Sequence, residues 1–159
     1  HDAGFITGSH NYVHDYPYQV KGKVIAYRDQ LNEKLTAVTG RGVSIMRAPG
    51  GDEKVYINED VHLPLIHWTL VSADAGGNVK NPESEARRLA SKALDGDVIL
   101  CHDLRSGTAD YTQTLPQLLA ARGFLCVTVE ELFAVNGIEL APNTVYFGVG
   151  SDSYEQRKD

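Results

Sequence analysis

Short apolar runs alternate with helix-like stretches along most of this sequence, and this alternation is what most limits the fold. Apolar runs at 42–46, 63–71, 97–101 and 124–129 are separated by segments with helical periodicity. Strands and helices in alternation are typical of parallel βα units. The sequence therefore predicts an α/β fold. Its 159 residues contain no repeat or linker-like stretch, which predicts a single unit.

The helix-like stretches carry their own start signals. Apolar side chains recur at spacings of three and four from Val20 to Val38, which predicts one helix there. Asn81 and Pro82 are typical of an N-cap followed by the first helical position. Two further helices are predicted, at roughly 112–122 and from Glu130.

Charge and composition exclude several classes of partner. Fifteen Lys and Arg residues against 21 Asp and Glu give a net charge of −6, which argues against nucleic acid or an anionic membrane surface as the main partner. No apolar run approaches the roughly 20 residues that span a bilayer. The first residues lack the pattern of a signal peptide. Cys101 and Cys126 lie in apolar runs, so both are predicted to be free thiols in buried strands.

Three titratable residues directly follow apolar runs. Arg47 follows GVSIM, Asp74 follows LPLIHWTLVSA, and His102 follows VILC. Catalytic groups of parallel βα folds gather at the carboxyl ends of the strands, so these residues form a candidate site. Each also has an ordinary structural interpretation: a surface arginine on a turn, an Asx-turn aspartate, and a core or rim histidine.

A pair of histidines is the candidate metal site. His10 and His14 are four residues apart, and a helical turn would place both imidazoles on one side, close enough to share a metal ion. Such a pair also arises by chance. His62 and His67 have no motif around them and are interpreted as structural or solvent-facing.

In combination, these motifs resemble the polysaccharide deacetylases, carbohydrate esterase family 4, from Gly4 to the helix after Val129. Four motifs of that family are matched in order. The matching residues are Gly8, His10 and His14; Arg47, Pro49 and Gly50; Asp74; and Leu100 with His102. The resemblance implies a distorted (β/α) barrel, here without its first strand–helix–strand portion. It also implies that residues 1–159 form one catalytic domain, the C-terminal major part of a deacetylase domain.

The resemblance also implies a divalent metal, with zinc expected, held by His10, His14 and an aspartate. The family's first motif, a pair of aspartates, has no match in this sequence. Cleavage, truncation and degeneracy are the alternatives that explain its absence. A complementary N-terminal segment of the same protein is therefore an expected partner, and the 159 residues alone are expected to be inactive.

The family's mechanism assigns a role to each polar residue that follows a strand. Water is activated on the metal, and His102 is the general acid for the leaving sugar amine. Asp74 hydrogen-bonds the His102 imidazole and favours its protonated form. Arg47 orients the missing aspartate that acts as the base.

The substrate contacts and the substrate itself also follow from the resemblance. The Gly50 N–H would hold the oxyanion, Leu100 would line the pocket for the acetyl methyl, and Trp68 belongs to the substrate-binding residues. The expected substrate is an acetylated polysaccharide, with peptidoglycan N-acetylglucosamine as first choice and chitin-type oligomers as second. This implies a location outside the cytoplasm or at the cell envelope. The alternatives are a non-catalytic carbohydrate-binding relative and a metal-dependent hydrolase of another small amide.

Overall fold

The computed structural model describes residues 4–15 and 17–150. These residues form two compact units. The first contains the described residues up to His67 together with Gly137–Tyr146, and the second contains Trp68–Asn136 and residues 147–150. No helix in the described ranges is long and apolar enough to span a bilayer. The expectation of one catalytic domain over 1–159 stays a prediction.

Six helices and four short strands are found in the described residues. In chain order they are α1 (Pro17–Val20), α2 (Val24–Thr39), α3 (Glu53–Asn58), β1 (Leu65–Ile66), β2 (Leu70–Val71), α4 (Pro82–Lys92), β3 (Ile99–Leu100), α5 (Thr108–Ala121), α6 (Val129–Val135) and β4 (Val145–Tyr146). Both strand pairs are parallel, as the alternation of apolar and helical segments predicted.

In the first unit, four extended segments lie side by side. Isolated parallel bridges join Ser9 to Met46 and Met46 to Leu65, and β1 pairs with β4. The core beside them consists of buried apolar side chains. They are Val20, Val24, Met46, Ala48, Tyr56, Val61 and Leu65. The segment that carries His10 therefore leaves one edge of this sheet, beside the end of the segment that carries Arg47.

The helix predicted over Val20–Val38 is interrupted at its start. α1 ends at Val20, a turn follows, and α2 begins at Val24. The predicted end is confirmed, because Gly40 has φ of 73° and donates its N–H to the Thr36 carbonyl. This left-handed conformation is one that glycine adopts at little cost.

In the second unit, β2 and β3 pair with Leu70 opposite Ile99 and Val71 opposite Leu100. Helices α4 and α5 cover them, and a buried apolar cluster fills the space between. Its members are Leu70, Ala86, Leu89, Ala90, Ala93, Tyr111, Leu115 and Leu119. The predicted start of α4 is confirmed, since the Asn81 side chain accepts a hydrogen bond of 3.0 Å from the Ser84 N–H.

Two apolar runs differ from their predicted form. The run 63–71 is split between the units, with β1 in the first and β2 in the second. The run 124–129 was predicted as a buried strand, and this prediction is wrong. No described strand pairs with it, so Leu125 is 84% exposed and Cys126 is also exposed. Cys101 follows β3 and is partly buried.

Candidate active-site residues

Asp74 and His102 are brought together because they follow neighbouring parallel strands. Asp74 lies in a 3-10 turn after β2, and His102 lies two residues after β3. Parallel strands end at the same edge of a sheet, so the two side chains meet there. His102 Nδ1 lies 2.9 Å from Asp74 Oδ1, and the His102 backbone N–H donates to Oδ2 at 2.8 Å.

Three hydroxyl groups complete the surroundings of the Asp74 carboxylate. The Ser72 hydroxyl donates to Oδ1, while the Thr108 and Tyr111 hydroxyls donate to Oδ2 at 2.8 and 2.6 Å. Asp74 is fully buried. Burial alone would raise the pKa of Asp74, but the hydrogen bonds from His102, Ser72 and Tyr111 outweigh it and hold the pKa well below its usual range. The carboxylate is therefore ionised at neutral pH.

The ionised carboxylate fixes the tautomer of His102. A carboxylate only accepts hydrogen bonds, so His102 Nδ1 carries a hydrogen and donates it to Asp74. The proton that the ring gains or loses is then the one on Nε2. The side chain is 31% exposed, whereas Asp74 is not exposed at all. His102 can exchange a proton with a molecule outside while Asp74 stays enclosed.

A partly buried ion pair on α4, between Glu85 and Arg88, holds the turn that carries Asp74. Glu85 accepts the Ala73 N–H at 2.8 Å, and Arg88 donates to the Val71 carbonyl at 2.9 Å and to Glu85 at 2.8 Å. Burial would raise the pKa of Glu85, but the hydrogen bond from Arg88 outweighs it and the pKa is lowered. Both ends of the segment between β2 and Asp74 are thus tied to one helix.

His10 and His14 lie close together, but not on a helix. Their ring centroids are 5.1 Å apart at an angle of 67°. The residues between them form a turn in which Asn11 has φ of 61° and donates its side-chain amide to the Val13 carbonyl at 3.0 Å. The predicted proximity is present, whereas the helical turn expected to produce it is absent.

The ring of His10 is oriented by the main chain. His10 Nδ1 lies 2.7 Å from the Arg47 carbonyl oxygen, and the Arg47 N–H donates to the Ser9 carbonyl at 2.9 Å. A carbonyl only accepts, so Nδ1 carries the hydrogen and Nε2 presents its lone pair. Metal-binding histidines commonly donate their other ring N–H to a carbonyl in this way.

The histidine pair fits part of a metal site. Two imidazoles 5.1 Å apart supply two ligands of the kind that zinc and related ions prefer. No group of three or more His, Cys, Asp or Glu side chains able to hold a metal is found among residues 4–15 and 17–150. A metal ion bound by this pair with three protein ligands would take its third ligand from outside the described residues.

The loop after Arg47 is shaped by glycine. Pro49–Gly51 forms a 3-10 turn in which Gly50 has φ of 66°, and no atom lies within 4 Å of where its Cβ would be. Glycine is favoured at this position by its backbone conformation and not by lack of space. The Arg47 side chain is partly buried.

The two remaining predicted substrate residues lie in the second unit. Leu100 belongs to β3 and is 6% exposed, and Trp68 is partly buried two residues before β2. Their substrate roles stay predictions.

The remaining histidines have the structural or solvent-facing character predicted for them. His67 is buried, with Nδ1 2.5 Å from Glu53 Oε1, and His62 is exposed beside Asp60.

The residues missed from the sequence are the hydroxyl donors to Asp74. Ser72 is two residues before Asp74, but Thr108 and Tyr111 lie on α5, more than 30 residues later. Their spacing of three on a helix places them on one face, which was the available signal.

Several known proteins are similar to this chain in sequence or in structure. No family model matches the chain. The peptidoglycan-N-acetylglucosamine deacetylase PgdA of Listeria monocytogenes is 28% identical over 135 residues, which cover 83% of this chain and 28% of that protein. A solved structure described as the T48 deacetylase with substrate is 26% identical with a TM-score of 0.78, covering 91% of this chain and 71% of that chain. A family 4 acetyl xylan esterase from Clostridium thermocellum, solved with a cobalt ion, is 22% identical with a TM-score of 0.77, covering 91% and 72%.

The predicted resemblance to the polysaccharide deacetylases of carbohydrate esterase family 4 is confirmed by these similarities in sequence and structure. The α/β fold class of this family, predicted from the sequence, is confirmed by the structural similarity. The chain spans 28% of the length of the curated PgdA proteins that it matches.

Proposed function

We propose that this chain supplies a large part of the active site of a metal-dependent deacetylase that removes N-acetyl groups from a glycan. The observation that carries the proposal is the Asp74–His102 pair, in which a fully buried carboxylate fixes a partly exposed histidine at 2.9 Å. The similarity to PgdA and to the T48 deacetylase supports the same reaction class.

His10 and His14 hold a divalent cation in this proposal, together with an acidic residue from a segment outside the 159 residues. When bound, such a cation supplies a Lewis acid for the amide carbonyl and for water. Zinc is the proposed metal. Two imidazoles and one carboxylate also suit cobalt, the ion found in the Clostridium thermocellum esterase.

The chemistry is the hydrolysis of an amide. Water adds to the acetyl carbon, the C–N bond breaks, and the products are acetate and a free sugar amine. His102 Nε2 gives its proton to the departing nitrogen, and Asp74 stabilises the imidazolium before that transfer. Arg47 orients the carboxylate that removes the proton from water. Acid and base are thus different groups, and each keeps the protonation state that it needs at one pH.

The remaining roles concern the acetyl group and the sugar. The Gly50 N–H stabilises the developing oxyanion, where a left-handed backbone leaves the main chain bare. Leu100 lines the space for the acetyl methyl, and Trp68 contacts the glycan.

Peptidoglycan N-acetylglucosamine is the proposed substrate, with chitin-type oligomers second. PgdA of Listeria monocytogenes is named for the first of these sugars. A net charge of −6 does not oppose binding to a neutral or weakly charged glycan. We place the protein outside the cytoplasm or at the cell envelope, where such glycans occur.

Acetate release by the full-length protein tests the proposal. Zinc-loaded protein should release acetate from peptidoglycan and, more slowly, from acetylated chito-oligomers, and removal of the metal by a chelator should stop the release. His14→Ala should do the same, while the matched variant His62→Ala changes an exposed histidine outside both pairs and should keep full activity. The 159 residues alone should bind zinc weakly and release no acetate.

The possible outcomes separate the alternatives. Glycan binding without acetate release by the zinc-loaded, full-length protein would favour a carbohydrate-binding relative. Acetate release by the isolated 159 residues would show that no further segment is needed.

A further inference from the structure

Two buried hydroxyl groups on α5 converge on one oxygen of Asp74. Tyr111 donates to Oδ2 at 2.6 Å and Thr108 at 2.8 Å, and their residues are 0% and 5% exposed. They lie three positions apart in the first turns of the helix, on the same face. Since Tyr111 also belongs to the apolar cluster between α4 and α5, its ring is held by packing and its hydroxyl has little freedom to turn away.

The partners of the Asp74 carboxylate in the described part of the chain are nearly all neutral groups. Of the described residues, His102 alone can form an ion pair with it, and the other donors are neutral hydroxyl and backbone groups. Five hydrogen bonds reach a group with about four lone-pair sites, so its accepting capacity is used up. The carboxylate cannot rotate without losing several of these bonds.

We propose that Tyr111, assisted by Thr108, is a positioning residue that fixes the Asp74 carboxylate. Its hydroxyl also limits how strongly the carboxylate attracts the protonated ring of His102. A carboxylate that shares its negative charge with hydroxyl donors attracts the imidazolium less than a bare carboxylate does. The hydroxyl groups therefore let His102 release its proton to a leaving amine. The catalytic part of this inference rests on the proposed function, whereas the coupling of Tyr111 to His102 does not.

The other titratable groups near Asp74 keep their charge when the hydroxyls are removed. Glu85 approaches from α4 and is paired with Arg88, while Cys101 lies at the end of β3. Burial raises the pKa of Cys101, so its thiol is uncharged at neutral pH. The Tyr111 hydroxyl lowers the pKa of the Cys101 thiol, so its loss raises that pKa further and leaves the thiol neutral. Any change in the titration of His102 then reports on the hydroxyl groups.

The full-length protein labelled with ¹⁵N-histidine provides the test. The ring signals of His102 are identified by their loss in His102→Gln and followed against pH. Tyr111→Phe removes one hydroxyl and keeps the ring, so the midpoint of the His102 titration should move to higher pH by a few tenths of a pH unit. Thr108→Val should move it in the same direction, and it replaces Tyr111→Phe if that variant fails to fold.

Tyr56→Phe is the matched control. Tyr56 is a buried tyrosine of the first unit, 1% exposed and outside the Asp74 network, so this variant should leave the midpoint unchanged. A midpoint that is unchanged or lower in both folded α5 variants would overturn the proposal, because a purely structural hydroxyl does not alter this titration.

Kinetics separates this inference from the proposed function. If the protein releases acetate, the alkaline limb of the pH–kcat profile should move to higher pH in Tyr111→Phe with KM unchanged. If it releases none, the proposed function fails, and the histidine titration still decides the role of Tyr111.

Discussion

His10 and His102 are oriented in the same way, but the oxygens that accept their hydrogen bonds differ in charge. Each ring donates its Nδ1 hydrogen to an oxygen, at 2.7 Å for His10 and 2.9 Å for His102. The oxygen belongs to the neutral carbonyl of Arg47 in the first case and to the ionised carboxylate of Asp74 in the second. A neutral acceptor orients an imidazole without adding a full negative charge, which suits a metal ligand. A carboxylate places a full negative charge beside the ring, which suits the proton donor proposed here.

The interactions that hold the Arg47 carbonyl and the Asp74 carboxylate in place also differ. The Arg47 carbonyl is fixed by the backbone, through the bridge between Ser9 and Met46 and the Arg47 N–H bond to Ser9. Asp74 is fixed by side chains, above all the hydroxyls of α5. Under the proposed function, this difference in the charge and anchoring of the acceptor separates the metal ligand from the proton donor.

Replacing each histidine by alanine tests the difference between His10 and His102 and has the largest expected effect. Under the proposed function, His102→Ala in the full-length protein should lower turnover by about 10²–10⁴-fold, the usual contribution of a general acid, and leave metal content intact. His10→Ala should lower metal affinity by more than the ~10- to 100-fold expected for loss of a residue that only supports a ligand. Acetate release and metal analysis of both variants provide the measurement.

The two variants are controls for each other. Equal loss of metal in His102→Ala would mean that both rings serve the cation and that the assignment of the acid is wrong.

Asp74→Asn tests the charge of the oxygen that accepts from His102, through the pH dependence of the unfolding free energy. The folded-state pKa of Asp74 is lowered, so its stabilisation is fully present above the unfolded-state value near 3.9 and is lost as the pH falls below it. Asparagine does not titrate and cannot satisfy all of the donors. The variant should lose about 3 kcal/mol of unfolding free energy at neutral pH, and the gap should narrow below about pH 4.

Urea unfolding between pH 7 and pH 3 measures this gap. A gap that stays constant over that range would show that the charge of Asp74 does not contribute to stability.

Gly107→Ala has the smallest expected effect and acts on the second unit. Gly107 precedes α5 with φ of 84°, and a Cβ there would lie 2.5 Å from the Val79 carbonyl oxygen. Strain and the close contact should cost about 2 kcal/mol and displace the Thr108 hydroxyl next to it. Thermal unfolding checks the loss of stability.

Gly22→Ala is the control for the backbone strain alone, because φ is 73° there and a Cβ would meet no atom within 4 Å. An equal loss of stability in both variants would show that the close contact with the Val79 carbonyl oxygen does not contribute to it.

Much of the local structure could be predicted from the sequence. The Asn81–Pro82 start of α4 and the Gly40 end of α2 depend on neighbouring residues only, and both are confirmed. The run 124–129 could not be predicted, because an apolar pattern does not reveal whether a partner strand is present. Its prediction as a buried strand is wrong, with Leu125 84% exposed.

The candidate site also contains residues that could be predicted from the sequence and residues that could not. His10, His14, Asp74 and His102 could be selected by spacing and by their place after apolar runs, and the structure brings them together in two separate pairs. Tyr111 was missed, because its spacing of three from Thr108 indicates a shared helix face but not which group that face contacts.

The Asn81 start of α4, the Gly40 end of α2 and the choice of titratable residues were decided by the amino-acid sequence alone, since each depends on spacing and on neighbouring residues. Which oxygen each histidine donates to was decided by the tertiary structure. The Arg47 carbonyl and the Asp74 carboxylate reach their histidines across 37 and 28 positions, and such contacts form only when strands pair and helices pack.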